Sequence, residues 1–385
     1  MKTWTLTLTD EDVHLDALHV TAGDAGITSA IDIRKRTLHG GLREGVDVIE
    51  IDNGALQFTV VPTRGMSLWR IGVGDLHVGW QSPVRGPVHP QFVPLDAPNG
   101  IGWLSGFDEF LVRCGLASNG APQFAENGRL EYPLHGRIAN LPAHTVQVTL
   151  DQARHTIAVT GIVEEARLFD RKLRLKTTYT TRFDEPRLSV VDEVTNLSAE
   201  PTDMQLLYHI NFGAPLCTPG SRVVAPIGTL APRDTHSATD LATWNTYGAA
   251  EAGLQEYGHF AELVADDEGW TRAMIVAADM ARGCSLAFNR KQMPCFTLWK
   301  SQRLPADGYV TGLEPGTNYP NVRRFEQQQG RIVPLAPGET RRFDVMIEVH
   351  PTAESVNAAA ADIANLSRGT EPTIHQAPMP GWSMG

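Results

Sequence analysis

The chain has 385 residues and a formal net charge of −11, with 42% hydrophobic and 20% charged residues. That balance describes a globular chain rather than a disordered one. An acidic chain without a basic block is a poor match for nucleic acid or an anionic membrane surface. The four cysteines, Cys114, Cys217, Cys284 and Cys295, are far apart and form no C-x-x-C pair. They argue against a disulfide framework or a cysteine-based zinc site, and for reduced thiols in a cytoplasmic protein.

The N-terminal "MKTWTLTLTDEDVHLD" alternates and then turns acidic, so no signal peptide is expected there. No stretch approaches the ~18–20 apolar residues that would span a bilayer. Along the chain, period-two alternation dominates. "ALQFTVVP" reads as a strand. Residues 81–131 are polar, rich in Gly and Pro and irregular, the pattern of a functional loop or lid. "KLRLKTTYTTRF" places Leu173, Leu175, Thr177, Tyr179 and Thr181 on one face. "RLSVVDEVTN" follows in the same manner, and "RRFDVMIEVH" aligns Phe343, Val345, Ile347 and Val349. Such patterns mark half-buried antiparallel strands. Turn chemistry separates them: "DNG" at residues 52–54, "SNG" at 118–120, "DEPR" at 184–187 and "LAPGE" at 335–339.

One segment is strongly helical. "TAESVNAAAADIANLSRG" has a cap residue at Thr352, apolar residues at helical spacing, and a stop at Gly369. "DTHSATDLATWNTYG" carries a weaker helical signal. The expected architecture is a large, mainly β, antiparallel sandwich with few short helices. It forms one domain over residues 1–368, followed by an arm over 369–385 that is either loose or packed on a partner subunit of a homodimer.

Three polar segments interrupt the strand background. "LHGRIAN" carries His135 and Arg137, "YHINFG" carries His209 and Asn211, and "VTGLEPGTN" carries Glu314 where a strand gives way to a Pro-Gly turn. Taken singly, each has an ordinary reading: a satisfied core histidine, a loop histidine, a solvated turn carboxylate. Together with "PTRGMSLWRIG" (62–72), "VGWQSP" (78–83) and "GFDEFLVRCGL" (106–116), they form an ordered set that resembles the aldose 1-epimerase (galactose mutarotase) superfamily, and a little-characterised subgroup of it.

The resemblance implies a galactose mutarotase-like supersandwich with a sugar cleft, no cofactor, and a small-molecule sugar as ligand. It implies Glu314 as base and His209 as acid, placed on opposite sides of the sugar. His135 would hold the sugar, with Arg64 or Arg137 donating to its hydroxyls. Asn211, Asp108, Trp103, Trp299 and Lys300 complete the candidate binding residues. The residue types suit the chemistry: opening an aldose ring needs one group to take a proton and another to give one near neutral pH. Several family features are absent. The usual His-Pro-Tyr-Phe-Asn run is His209-Ile210-Asn211 here, and the Asn-Arg sugar-binding pair and substrate-binding aspartate have no clear counterpart. Two rival readings remain: a metal-dependent isomerase built on His135, His209 and Glu314 with Asp108 or Glu109, and a non-catalytic sugar-binding module. A different isomerisation or elimination in the same cleft is a third.

Overall fold

The computed structural model describes residues 3–384. Two large, mainly antiparallel sheets of fourteen and ten strands stack face to face. Val148, Val159, Leu175 and Val190 of the smaller sheet meet Phe58, Leu111, Tyr208, Ile210 and Leu313 of the larger one. This is the expected β-sandwich.

The ten-stranded sheet shows its alternation because one face is wet. Strand Lys172–Arg182 buries Leu173, Leu175, Thr177, Tyr179 and Thr181. Strand Thr340–His350 buries Phe343, Val345, Ile347 and Val349. The fourteen-stranded sheet is different: near its centre both faces are covered. In strand Thr202–Phe212, every residue from Met204 onward is buried. Leu206, Tyr208, Ile210 and Phe212 face the core. Leu207, His209 and Asn211 take the opposite face, because side chains alternate along a strand. There Trp80, Leu95, Trp103, Phe107 and Leu134 form a second apolar layer with Leu207, Val112 and Cys114.

That layer corrects the reading of residues 81–131 as irregular throughout. Leu111–Leu116 is a central strand, between Ser67–Val73 and Thr202–Phe212. All six of its residues are buried, so it shows no alternation. The flanking portions do form the covering loops.

Helix Ala353–Leu366 starts where the sequence places it. The Thr352 hydroxyl accepts from the Ser355 amide, and Val356, Ala359 and Ile363 pack on Met274 and Val276. The weaker helical signal becomes a short 3-10 stretch, Ser237–Thr243. The C-terminal arm lies on the chain's own larger sheet. Thr373–Ile374 pairs in parallel with strand Ile227–Pro232, and the Trp382 ring lies 5.0 Å from that of Tyr319, tilted by 38°. The four cysteines are buried and free. Among the described residues, no helix is long and apolar enough to cross a membrane.

Candidate active site

Strand pairing brings His209 and Glu314 together. Strand Thr202–Phe212 pairs with Tyr309–Gly316 in a register that sets Leu207 against Gly316 and Ile210 against Leu313. His209 therefore faces Glu314 directly across two neighbouring strands, on the outer face of the large sheet. Nε2 of His209 lies 3.2 Å from Oε1 of Glu314. The two groups are in contact, which corrects the expectation that they flank a sugar from opposite sides. Both side chains are almost wholly buried, at 5% and 2% exposure.

Room for the pair comes from Gly312, two residues before Glu314 on the same face. A Cβ there would stand 2.3 Å from Oε1 of Glu314 and 3.1 Å from Cε1 of His209.

Asn211 fixes the imidazole. Its Nδ2 donates to the carbonyls of Glu109 (3.0 Å) and His209 (3.2 Å), so its Oδ1 must face the ring. Nδ1 of His209 donates to that oxygen at 2.6 Å. A neutral ring then carries its proton on Nδ1 and leaves Nε2 bare toward Glu314. Burial favours this neutral form. It pulls His209 down to about 3, helped by the nearby His135 and opposed by the Asn211 bond. Burial also lifts Glu314 to about 8, opposed by Arg233. Both shifts favour the uncharged forms, a protonated carboxyl facing a bare Nε2. Glu314 Oε1 makes no well-directed hydrogen bond.

Rings wall the pair. Phe107 is 5.0 Å from His209 between centroids, Trp299 5.4 Å, His135 5.5 Å and Trp103 6.3 Å. Trp103 is fully buried, while Trp299, Trp80 and His135 are half-buried. His135 adopts a left-handed backbone, φ 58°, and its Nδ1 donates to the Asn119 carbonyl at 2.9 Å. Burial holds it neutral, down to about 4. Two further buried polar atoms lack a partner here, Trp103 Nε1 and Thr297 Oγ1. Thr297 is opposite Glu314 on the next strand.

The structure thus gathers His209, Glu314, Asn211, His135, Trp103 and Trp299, and takes four other candidates elsewhere. Arg64 is fully buried and occupied: it donates to Glu109 at 2.6 Å, to Asn140 at 2.8 Å, and to the carbonyls of Val88 and Gly106 at 3.1 and 3.0 Å. It clamps the covering loops rather than facing a ligand. Arg137 pairs with Asp96 in a separate cleft with Arg167 and Arg171. Lys300 alternates to the other face of the sheet from Trp299 and is bound by Asp240 at 2.6 Å and the Thr243 carbonyl at 2.9 Å. Asp108 accepts from Trp69 at 3.0 Å in a neighbouring cleft with Arg43 and Arg70, and burial lifts it to about 8. With Glu109 locked on Arg64, neither acid joins His135, His209 and Glu314. Among the described residues, no three His, Cys, Asp or Glu side chains are grouped to hold a metal ion.

Sequence reasoning missed Phe107, Thr297, Gly312 and Arg233. Gly312 had a signal: a glycine two residues from a carboxylate on one strand face leaves room for that side chain. The others depend on which distant segments the fold brings together.

A family model described as "Domain of unknown function (DUF4432)" matches residues 43–349. No curated protein matches the sequence. A crystal structure described as a "putative aldose 1-epimerase" from Klebsiella pneumoniae subsp. pneumoniae MGH 78578 is 33% identical, with a TM-score of 0.95 over 98% of this chain and 99% of that one. A galactose mutarotase-like protein from Clostridium acetobutylicum shares the fold at 15% identity, with a TM-score of 0.55 over 83% of this chain and 98% of that one. Galactose 1-epimerase from Lactobacillus acidophilus NCFM does so at 12% identity, with a TM-score of 0.52 over 87% and 98%. The chain belongs to the DUF4432 family, within the aldose 1-epimerase (galactose mutarotase)-like superfamily whose β-sandwich it adopts.

Proposed function

We propose that the protein is an aldose 1-epimerase-like isomerase that interconverts sugar anomers at His209 and Glu314. The observation that carries this reading is the buried cross-strand pair, 3.2 Å apart, with a tautomer set by Asn211. The hydroxyl oxygen O1 and the ring oxygen of a pyranose are both bonded to C1. An adjacent acid and base can therefore serve both from one side. Bare Nε2 of His209 takes the O1 proton while the Glu314 carboxyl protonates the ring oxygen. The bond from C1 to the ring oxygen breaks, and a carbonyl forms at C1. The open chain rotates about C1–C2. Glutamate then takes the proton back as the ring closes, and imidazolium returns one to O1. Each group acts once as acid and once as base. The first step has the opposite polarity to the one that resemblance implies, because burial starts the pair as neutral imidazole and neutral carboxyl. Trp299 offers an indole face to the sugar, and Trp103 Nε1 and Thr297 Oγ1 are unpartnered atoms for its hydroxyls.

The test is NMR exchange spectroscopy on aldoses at their own anomeric equilibrium. Wild type is expected to accelerate exchange for at least one aldose. Glu314→Gln keeps the shape and loses the titrating proton, so exchange should fall on the order of 10²–10⁴-fold, with sugar binding within several-fold. A fully active Glu314→Gln protein would refute the assignment. Sugar binding without any acceleration would favour a binding module.

A further inference from the structure

On the outer face of the large sheet, one line of residues runs from beside the His209–Glu314 pair to Arg233. Gly312 pairs with Trp299, and Trp299 pairs with Gly258 on the next strand, Tyr257–Leu263. The Arg233 amide donates to the Gly258 carbonyl at 2.8 Å. The row therefore reads Asn211, Gly312, Trp299 and Gly258, one residue per strand, and then Arg233 just past the end of strand Ile227–Pro232. Glycines stand on both sides of the half-buried indole. The Gly312 side is filled by the Glu314 carboxyl. The Gly258 side is filled by Arg233: a Cβ on Gly258 would meet Cβ, Cδ and Nε of Arg233 at 3.1–3.2 Å. The arginine thus lies across Gly258, the neighbour of Trp299 in the row. Two strand spacings, about 10 Å, separate Gly258 from Gly312. That span takes a pyranose ring over Trp299 with C1 at the pair and its far end at Arg233.

Charge decides what Arg233 reads. Its Nε donates to Asp234 at 3.0 Å, and its Nη2 lies 3.7 Å from Glu256. Two carboxylates surround one guanidinium, so the cluster carries no surplus positive charge for an oxyanion. Other basic groups near the site are already matched: Lys300 is held by Asp240 and Arg64 by Glu109. His135 and His209 are kept neutral by burial. A phosphate or carboxylate on the sugar would meet Asp234 and Glu256 with nothing to balance it. A hydroxyl meets donors and acceptors together.

Resting on the epimerase reading for the location of C1, we propose that Arg233, with Asp234 and Glu256, is the specificity-determining cluster that binds the distal hydroxyls of a neutral, non-phosphorylated aldose.

Saturation-transfer NMR at fixed ionic strength tests this without requiring turnover. The probes are D-glucose, D-galactose, D-mannose, D-xylose and L-fucose, against D-glucose 6-phosphate and D-galactose 6-phosphate. At least one neutral sugar is expected to bind at least tenfold more tightly than either phosphate. Arg233→Met should weaken that binding about ten- to a hundredfold, the loss of hydrogen bonds to a charged donor. Arg233→Lys should recover part of it. Glu256→Gln should narrow the discrimination against the phosphates. The arginine side chain is 30% exposed, so these variants should fold, and thermal melts check that they do. Tighter binding of a 6-phosphate, neutral binding unchanged in Arg233→Met, or no binding of any neutral sugar each overturns the proposal. Neutral binding that depends on Arg233, without accelerated anomer exchange, sustains the cluster and strikes the catalytic reading instead.

Discussion

The two faces of strand Thr202–Phe212 carry two buried polar assemblies built to opposite ends. On the core side, Asp192 accepts from Nε and Nη2 of Arg113 at 2.5 and 3.0 Å, from Tyr208 at 2.7 Å and from Thr177 at 2.8 Å. The remaining Arg113 donor reaches the Met66 carbonyl and the Tyr179 hydroxyl, both at 3.0 Å. On the other side, one residue along, Glu314 meets His209 with an oxygen left unsatisfied. The first assembly is closed, and a closed network in a low dielectric holds its charges in place. The second is under-satisfied and neutralised by burial, which leaves its proton free to move. Equal burial yields a structural tie in one case and a reactive pair in the other; the number of hydrogen-bond partners makes the difference.

The comparison can be broken on either side. Arg113→Met leaves the Asp192 carboxylate uncompensated between the sheets, and should cost about 3–5 kcal/mol in urea unfolding. Glu314→Gln in the same assay should cost far less. A similar loss from both would mean the pair is structural too. A subtler break is Gly312→Ala. Its methyl would displace the Glu314 carboxyl, and a misplacement near 1 Å should lower anomer exchange by about 10²-fold while the melting temperature moves little. Unaltered exchange would show that the carboxyl position is not critical.

The smallest effect is the pH dependence of stability. Glu314 and Asp108 have folded values raised to about 8, so their contribution is full below their unfolded values and is lost as pH rises through 8. His209 and His135, depressed to about 3 and 4, act the other way, and their contribution is complete above about pH 6.5. Between pH 6.5 and 8 only the carboxyl slope remains, at most about 1.4 kcal/mol per pH unit for each group. Urea titrations should show wild-type stability falling across that window, and Glu314→Gln should remove its share of the slope. A flat wild-type profile would mean that these carboxyls are already ionised at neutral pH.

Strands with one wet face were legible in the sequence. "KLRLKTTYTTRF" and "RRFDVMIEVH" alternate because water on one side demands polar residues there, and the Thr352 cap announces its helix through local hydrogen bonding. "LVRCGL", inside a stretch that otherwise reads as loop, was not legible, since a strand covered on both faces carries no period. His209, Glu314 and His135 stood out as polar interruptions among apolar runs, and their order along the chain pointed to the superfamily. Arg64 and Lys300 show the limit of that reasoning. Each is a basic residue in a suggestive motif, yet Glu109 and Asp240 capture them from distant segments. Arg233 sits in no motif, and only the register of neighbouring strands lays it along Gly258, beside Trp299 in the row. The sequence by itself determined the strand-rich sandwich, its one long helix and the chemical types at the site. The tertiary structure decided which polar groups are satisfied and which remain reactive, because hydrogen-bond partners across a sheet are set by pairing between residues far apart in the chain.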